Sequence, residues 1–341
     1  MNYYESLKNL TVVILSRGRS KHLINTINYY DKAGIQLVVH HQTQFPIDTS
    51  RFTRLKYFPS QKDFLERCLD ISESSLKDHA ILSSDDELYT LSSLAKMSYY
   101  LSKNSRIQSI GGQAIAVSVD RLKIKTHFLY PDLISNTNFS DNLLSRVNKH
   151  FNPSNKNVKF SALYRMYRKD KFTQMMNLFA KNKGISTPYI TEVSAECFAL
   201  SIGKSSHLNE VYWIRNWINP PIQIKGWNRD ITFYAWWYNS NFKSEHKIWI
   251  QNMNNLISKD KFQIILPRLL NNRIAEIYKK PIVQSNILKL YAKKIYIRIL
   301  NFFKLYGFVL DNVDLIEFLT AHKIGFDRQE LINGAKLLTK I

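Results

Sequence analysis

Ala80-Ile81-Leu82-Ser83-Ser84-Asp85-Asp86-Glu87 is the segment that decides the predicted fold of this 341-residue chain. Its short apolar run predicts a buried strand, and three consecutive carboxylates begin the loop behind that strand. Adjacent carboxylates cannot pair with one another, so they need a cation, and a hard divalent metal that also binds phosphate is a common one. The alternative is a solvated loop or a helix N-terminus, where Asp and Glu are favoured, because residues 88–101 predict a helix.

The composition is that of a globular protein with a strong excess of positive charge. Hydrophobic residues make up 45% of the sequence, and the formal net charge is +21. A chain of this length can bury a large core and holds more than one domain, or one domain with a long extension. The charge predicts an anionic partner such as nucleotide phosphates, nucleic acid or an anionic membrane surface, although a generally basic surface also explains it.

Few signals of secretion or cross-linking are present. Cys68 and Cys197 are the two cysteines, and their spacing argues against a disulfide framework or a structural zinc site. Residues 1–9 contain no apolar signal segment, and no run of 18 uncharged apolar residues predicts a spanning helix. We therefore expect a cytoplasmic protein in a reducing compartment, with peripheral contact to the inner face of the membrane as a further possibility.

Strand and helix patterns alternate through the first ninety residues. Residues 10–15 are continuously apolar and rich in β-branched side chains, which predicts a strand buried on both faces. Further segments follow in order: a loop at 16–20, a helix at 21–32, strands at 35–40 and 55–58, a helix at 64–71 and a strand at 80–84. This order predicts an α/β fold with an open, doubly wound, mostly parallel sheet. Ligands of such sheets bind beyond the carboxyl ends of the strands, where Arg17 and the acidic triplet fall.

The second half of the chain is less regular. Residues 107–119, around Gly111-Gly112, predict two strands joined by a turn. A strand is predicted at 158–167 and helices at 171–182 and 191–201, and the pattern is helical from residue 255 onward. We therefore predict a catalytic domain over residues 1–250 and a basic helical extension over residues 251–341.

Several motifs in this order resemble one family. The stretch from Thr11 to Ser20 (TVVILSRGRS), followed by Ser84-Asp85-Asp86-Glu87-Leu88, resembles the GT-A glycosyltransferases of the family 2 type. That family opens with V-V-I-P-T-[RY]-N-R and carries a D-x-D or D-D-D metal motif after a hydrophobic strand. The stretch from Phe160 to Arg165 (FSALYR) resembles the F-x-x-[LV]-[HY]-R segment of a bacterial polysaccharide branch, and Glu192 stands where the family places an acidic acceptor-side residue.

The resemblance covers roughly residues 8–250, and it implies both a fold and an activity. The implied fold is GT-A, a Rossmann-like open sheet flanked by helices. The implied activity is metal-assisted, inverting transfer of a sugar from a nucleotide-sugar donor to a glycan or lipid-linked acceptor, in cell-surface polysaccharide synthesis. Two positions depart from the pattern. His40-His41 replaces an Asp that contacts the nucleotide base, which leaves the donor nucleotide open, and Leu15 replaces a proline.

Roles at the donor side follow from the D-x-D spacing. Asp85 and Glu87 match the pair that holds Mn²⁺ or Mg²⁺ against the leaving diphosphate, and Asp86 would face the donor sugar or ribose. Further donor-side candidates are Ser16, Arg17, Arg19 and His40. Arg17 is interpreted equally well as an ordinary surface residue that has no functional role.

The two candidates for the catalytic base lie on the predicted helix at 191–201. Inverting transfer needs a general base, for which Glu192 is the first candidate and Glu196 the second. The two are four residues apart and share a helix face, so one of them could instead pair with Arg165 or Arg168. Arg165 and Trp217 are predicted on the acceptor side, where aromatic rings stack on sugars, although core packing is the commoner role of the six tryptophans.

The region 281–310 contains five basic and no acidic residues. At helical spacing the basic side chains lie opposite an apolar face formed by Leu288, Tyr291, Ile295, Ile299 and Phe302. The basic residues are Lys289, Lys293, Lys294, Arg298 and Lys304. This pattern is typical of a helix on an anionic membrane surface, and equally of a helix that packs on the catalytic domain with its basic face in water.

Three other functional classes stay open. A nucleic-acid-binding protein or a metal-dependent nuclease would explain the charge, but the basic residues form no stripe interleaved with aromatics. A nucleotidyltransferase would carry a Gly-rich phosphate loop after the first strand, where only Gly18 stands. A glycosyltransferase-like protein without activity would explain why His40-His41 replaces the base-reading Asp.

Overall fold

A nine-stranded mixed sheet lies at the centre of the computed structural model, which describes residues 3–120, 123–128, 140–151, 161–216, 228, 231–279 and 324–339. The strands are β1 (Leu10–Arg17), β2 (Gln36–Gln42), β3 (Leu55–Ser60), β4 (His79–Ser84), β5 (Glu87–Tyr89), β6 (Ile107–Asp120), β7 (Lys123–Phe128), β8 (Met166–Arg168) and β9 (Lys204–Asn216). Their spatial order is β3-β2-β1-β4-β8-β6-β9-β5, and β7 pairs with β6 outside this path.

The strand directions confirm the predicted fold class. β1 is parallel to both β2 and β4, β2 is parallel to β3, and β6 is parallel to β9. β8 runs antiparallel between β4 and β6, and β5 runs antiparallel along β9. The result is an α/β protein with a mostly parallel sheet flanked by helices, as predicted from the alternating strand and helix patterns.

Helices cover both faces of the sheet. They are α1 (Ser20–Asp31), α2 (Phe64–Ser72), α3 (Leu91–Lys103), α4 (Leu143–His150), α5 (Lys169–Lys181), α6 (Tyr189–Ile202), α7 (Phe233–Tyr238), α8 (Lys243–Ile257), α9 (Lys259–Lys279) and α10 (Arg328–Thr339). Helices α1, α3 and α10 bury apolar side chains on one face, together with Val12 and Ile14 of β1. Helices α2 and α4 to α9 do so on the other face, together with Val13. Because successive side chains of a strand alternate, the continuous apolar run of β1 fills both layers.

The prediction of two strands joined by a turn at Gly111-Gly112 is wrong. The single strand β6 runs through both glycines, with shifts of register against β9 at this point. A Cβ atom added to Gly112 would lie 2.8 Å from the carbonyl oxygen of Glu210 and 3.0 Å from the ring of Tyr212. Glycine is therefore needed for the close approach of β9, and not for a reversal of the chain.

Two other predicted elements begin later than expected. The helix predicted at 88–101 begins at Leu91, because residues Glu87–Tyr89 pair with β9 as the short strand β5. Within the strand predicted at 158–167, residues 158–160 lie outside the described part. A 3-10 turn at Ala162–Tyr164 follows, and pairing begins only at β8.

The described parts of the predicted C-terminal extension pack on the same sheet as the rest of the chain. The predicted boundary at residue 250 falls inside α8. Phe262 and Ile265 of α9 are buried in the core that also contains Trp249 of α8. The basic helix predicted at 281–310 lies outside the described residues, so its contact with a membrane stays a prediction.

Helix α10 returns to the opposite face, next to β5 and β9. Its residues Leu331, Ala335 and Leu338 are buried there. The Glu330 carboxylate accepts hydrogen bonds from the backbone N–H groups of Leu91 and Ser92 and from the Ser92 hydroxyl. These are the first residues of α3, whose N–H groups have no partner inside the helix, so Glu330 caps α3 from a distant part of the sequence.

Two further findings concern membrane crossing and cysteines. None of the described helices combines the length with the apolar character that a membrane crossing requires. Cys68 and Cys197 are both free thiols in the core.

Two buried histidines predict a loss of stability in mild acid. His40 and His79 are each 1% exposed, and burial lowers the pKa of each to about 4, from an ordinary value of 6.5. The unfolded chain protonates these side chains first, so their contribution to the free energy of unfolding should fall as the pH drops from about 6.5 to about 4, against the opposite contribution of Asp85 and Glu87, whose pKa values burial raises to about 6 and about 7. Urea unfolding of wild type and His79→Asn across this range isolates the histidine effect, because wild type should lose stability relative to the variant as the pH falls. An identical pH profile for wild type and His79→Asn would contradict this prediction.

Candidate functional site

The acidic triplet lies at the carboxyl edge of the sheet, where β4 ends. We call Asp85, Asp86 and Glu87 the carboxylate cluster. Asp85 and Asp86 form a turn and Glu87 begins β5. The backbone N–H of Asn216 donates to the carbonyl oxygen of Asp86 at 3.0 Å, and the Thr26 hydroxyl donates to that of Asp85 at 3.2 Å. The turn is thereby fixed between the end of β9 and helix α1.

Asp85 is fully buried and is held by the loop that follows β1. The Ser16 hydroxyl donates to Oδ2 of Asp85 at 2.6 Å, and Nη2 of Arg19 lies 2.5 Å from Oδ1. The backbone N–H of Arg17 also bonds to this carboxylate. Burial raises the pKa of Asp85 to about 6, although Arg19 and Ser16 oppose the shift.

Asp86 is the member of the cluster that has a strongly ionised carboxylate. Nη1 of Arg19 donates to Oδ2 at 2.8 Å, and the Ser84 hydroxyl donates to Oδ1 at 2.5 Å. Burial raises the pKa of Asp86, but Arg19, Ser84 and Arg215 together lower it below its ordinary value. Its side chain is 11% exposed, whereas that of Asp85 is 0% exposed. Asp86 is therefore better placed than Asp85 to meet a ligand.

Glu87 pairs with a cation that the sequence did not single out. Nε of Arg215, near the end of β9, lies 3.5 Å from Oε1 of Glu87. Burial raises the pKa of Glu87 to about 7, against the attraction of Arg215. The sequence near Arg215 shows only a basic residue at the end of a strand. Its partner Glu87 lies on β5, and only the pairing of β5 with β9 identifies it.

Arg19 links two members of the cluster from the start of α1. Gly18, immediately before it, has φ at +67°, a conformation that other residues rarely adopt, and it turns the chain from β1 into α1. Burial lowers the pKa of Arg19, but Asp85 and Asp86 raise it more strongly, so the guanidinium stays charged. Two predicted donor-side residues, Ser16 and Arg19, are thus brought to the cluster.

The side chains of the other two predicted donor-side residues, Arg17 and His40, do not hold the cluster in the way that Ser16 and Arg19 do. Arg17 is half-buried at the end of β1. The His40 ring is buried and stacked on Phe58, with 4.8 Å between ring centroids, so it presents no surface to a nucleotide base here. Arg67 of α2, which the sequence analysis missed, donates from Nη1 to the carbonyl oxygens of both Ser16 and His40. The sequence did offer a signal for Arg67, because a charged side chain falls within the apolar face of α2.

The two candidate bases occupy different surroundings on α6. Glu196 is 2% exposed, and its Oε2 accepts from the backbone N–H of Ala162 at 2.9 Å. Its Oε1 lies 3.1 Å from Nε2 of His150, a partner that the sequence did not suggest. Glu192 is half-buried. Since α6 ends where β9 begins, Glu192 lies one turn, about 6 Å, nearer the carboxyl edge than Glu196.

Arg165, one of the two predicted acceptor-side residues, contacts β9 and not the carboxylate cluster. Arg165 is buried, and its Nη2 donates to the carbonyl oxygen of Ser206 at 2.5 Å. Trp217 lies outside the described residues. Trp213, another tryptophan of this region, is buried on β9, where Tyr164 stacks on it at 4.1 Å, and it therefore belongs to the core.

The carboxylate oxygens of the cluster are ligands that suit a hard cation, provided that the cation takes only some of its ligands from the protein. In the part of the chain that the structure describes, no group of three or more His, Cys, Asp or Glu side chains converges as a complete metal site. The cluster offers carboxylate oxygens, the donors that Mg²⁺ and Mn²⁺ prefer, and Asp86 offers them closest to solvent. Mg²⁺ usually binds through one or two carboxylates together with phosphate oxygens and water.

Comparisons with known proteins add little to this description. No protein-family model matches the sequence, and no curated protein matches it. Among solved structures, the fold is similar to that of residues 1–349 of TarS, a glycosyltransferase from S. aureus. The two share 10% sequence identity at a TM-score of 0.49, over 83% of this chain and 77% of that chain. A likeness this distant carries no conclusion about activity, which must come from the residues themselves.

Proposed function

We propose that this chain is a nucleotide-sugar-dependent glycosyltransferase that moves a sugar onto a glycan or lipid-linked acceptor, with inversion, in the synthesis of a cell-surface polysaccharide. One observation carries the proposal. The carboxylate cluster follows β4 at the carboxyl edge of the sheet, and Ser16 and Arg19 of the loop after β1 hold it there. Ligands of open α/β sheets bind at this edge.

The first requirement of such a reaction is a counter-charge for the leaving diphosphate. A bound Mn²⁺ or Mg²⁺ would supply it by neutralising the charge that develops on the phosphate oxygens. The sequence assigned the metal to Asp85 and Glu87 and the donor to Asp86. The exposure of the side chains favours Asp86 as the carboxylate that reaches the metal, with Asp85 and Glu87 behind it. We therefore propose Asp86 as the carboxylate that reaches the metal, and the variants described below distinguish it from Asp85 and Glu87.

Arg19 is the second source of positive charge. Its guanidinium pairs with two carboxylates at once and keeps 22% of its side chain exposed. Its charge therefore holds the cluster together before a ligand arrives and remains available to a donor phosphate. Fixed charges of this kind stabilise a leaving group without the cost of reorganising solvent.

The second requirement is a base that takes the proton of the acceptor hydroxyl. Both oxygens of Glu196 are engaged, by Ala162 and by His150. Glu192, half-buried and nearer to the carboxyl edge, is the better placed carboxylate on the same helix. We propose Glu192 as this base.

A screen of nucleotide sugars tests the proposal. We expect the full chain to hydrolyse one of them slowly in the absence of an acceptor, and to do so faster with Mn²⁺ than with a chelator. Asp86→Asn should lose this activity, whereas the matched control Asp70→Asn should retain it, since Asp70 pairs with Lys62 on the surface. If no nucleotide sugar is turned over under any metal condition, the assignment to this class of enzyme fails.

A further inference from the structure

The C-terminal helix α10 packs against the two strands that carry part of the carboxylate cluster. β5 begins with Glu87, and β9, with which it pairs, ends at Asn216. β5 is three residues long and lies at one end of the sheet, so within the described residues it pairs with a single strand. A short edge strand makes few backbone hydrogen bonds, and its position therefore depends on what packs against it.

A glycine lets α10 approach both strands closely. A Cβ atom added to Gly334 would lie 2.9 Å from Cδ1 of Ile214 on β9 and 4.0 Å from Cδ1 of Leu88 on β5. Glycine is unfavourable in the interior of a helix, so the close contact gives it a packing role there. Because Ile214 and Leu88 lie opposite each other in the strand pair, α10 packs across the seam between β5 and β9.

Asn216 joins α10 to the turn of the carboxylate cluster. Its backbone N–H donates to the carbonyl oxygen of Asp86 at 3.0 Å, and its side-chain Nδ2 donates to the carbonyl oxygen of Leu338 at 2.7 Å. Leu338 lies in the last turn of α10, where carbonyl groups have no partner inside the helix. Asn216 is 4% exposed, so both hydrogen bonds are shielded from water.

The spacing of these contacts is that of a helix running alongside β9. Gly334 and Leu338 are four residues apart and share a face of α10, whereas Ile214 and Asn216 are two residues apart and share a face of β9. Four residues of helix rise about 6 Å, and two residues of strand rise about 7 Å. The contact at Gly334 and the bond at Leu338 therefore hold one stretch of β9, which ends at the cluster.

The beginning of α10 is attached to β5 as well. Oε1 of Glu330, which caps α3, lies 2.9 Å from the hydroxyl of Tyr29. The same hydroxyl lies 3.2 Å from the carbonyl oxygen of Tyr89, the last residue of β5. Contacts from α10 therefore reach the end of β5 through Tyr29 and the turn before β5 through Asn216.

We propose that Asn216 is a positioning residue, and that through it α10 holds the carboxylate cluster in the geometry that binds the metal and the donor diphosphate. This inference rests on the metal site proposed above. Asp86 is the carboxylate assigned to the metal, and its backbone carbonyl is the group that Asn216 holds. Residues behind a metal ligand fix its orientation, and their loss weakens metal binding by about tenfold to a hundredfold.

Binding of Mn²⁺ to the full chain, measured by paramagnetic resonance in the presence of UDP, GDP, ADP or CDP, tests the proposal. Asn216→Ala removes the bond to Leu338 and leaves every carboxylate of the cluster in place. We expect this variant to bind Mn²⁺ about tenfold more weakly than wild type does. Gly334→Val, which places a branched side chain against Ile214, should push α10 from the strands and have the same effect.

Asn252→Ala is the matched control. Nδ2 of Asn252 donates at 2.7 Å to the carbonyl oxygen of Lys181, the last residue of α5, so this variant also removes a bond from a side-chain amide to a helix end. It should bind Mn²⁺ as wild type does. Wild-type affinity in Asn216→Ala or in Gly334→Val would overturn the proposal, as would an equal loss of affinity in Asn252→Ala.

Hydrogen exchange gives a readout that needs neither metal nor nucleotide. The backbone N–H of residue 216 is protected in wild type by its bond to Asp86. In Asn216→Ala and Gly334→Val it should exchange about tenfold faster or more, while the N–H groups of β1 stay protected and show that the variants are folded. If wild type binds no nucleotide with Mn²⁺, the proposed function fails. The exchange rate then decides separately whether α10 fixes the turn, and an unchanged rate in both variants would overturn that claim.

Discussion

Glu192→Gln is expected to lower the rate of sugar transfer by about 10²–10⁴-fold and to leave the affinity for the nucleotide donor unchanged. The substitution keeps the size of the side chain and removes its ability to accept a proton. Glu192 lies in the first turn of α6 and is not a member of the carboxylate cluster. Transfer assays with saturating donor, alongside titration of the donor by calorimetry, separate the two quantities.

Glu196→Gln is the matched comparison, one helical turn away. Gln retains an oxygen that can accept from Ala162 but loses the charge that faces His150. We expect this variant to be less stable and to keep most of its transfer activity. The opposite pattern, with transfer lost in Glu196→Gln and retained in Glu192→Gln, would assign the base to Glu196. Loss of donor binding in Glu192→Gln would instead refute the role of a base.

The second large effect concerns the division of labour in the carboxylate cluster. Asp86→Asn should abolish the dependence of nucleotide binding on Mn²⁺, because Asp86 has the least buried and the most strongly ionised carboxylate of the cluster. Asp85→Asn should cost roughly 1–3 kcal/mol of the free energy of unfolding, because the buried bonds from Ser16 and Arg19 lose their charged acceptor. Paramagnetic resonance of Mn²⁺, with and without nucleotide, and urea unfolding measure the two effects.

Glu87→Gln completes the series. If Asp85 and Glu87 form the metal pair, as the D-x-D spacing predicts, both of their variants lose Mn²⁺ binding and Asp86→Asn keeps it. If Asp86 is the ligand, as the exposure of its side chain favours, Asp86→Asn loses Mn²⁺ binding and the variants of Asp85 and Glu87 keep it. Equal and unchanged Mn²⁺ binding in all three variants would remove the metal from the cluster altogether.

The sequence predicted those parts of the fold and site that depend on neighbouring residues. The apolar runs before Ser16 and Asp85 gave two adjacent strands, and parallel strands bring their carboxyl ends to one edge. This reasoning was enough to predict that Ser16 and Arg19 lie at the same edge of the sheet as the acidic triplet. It also gave the helix that contains Glu192 and Glu196 to within two residues at its start and one at its end.

The parts that the sequence did not predict depend on contacts between distant segments. Residues 88–101 look helical locally, but β9 captures the first of them as β5 and sets Arg215 against Glu87. Gly111-Gly112 resembles a turn, yet the glycines admit the backbone of β9. Nothing near Glu330 indicates that it caps α3, and nothing near Glu196 indicates His150. Local propensity cannot specify a partner that tertiary packing supplies.

Calorimetric titration of the wild-type chain with nucleoside diphosphates, in the presence of Mn²⁺ and again in the presence of a chelator, tests the central claim most directly. We predict that one nucleotide binds, that Mn²⁺ strengthens its binding, and that Asp86→Asn loses the effect of the metal. Binding of no nucleotide by wild type, or an identical response to Mn²⁺ in wild type and Asp86→Asn, would contradict the account.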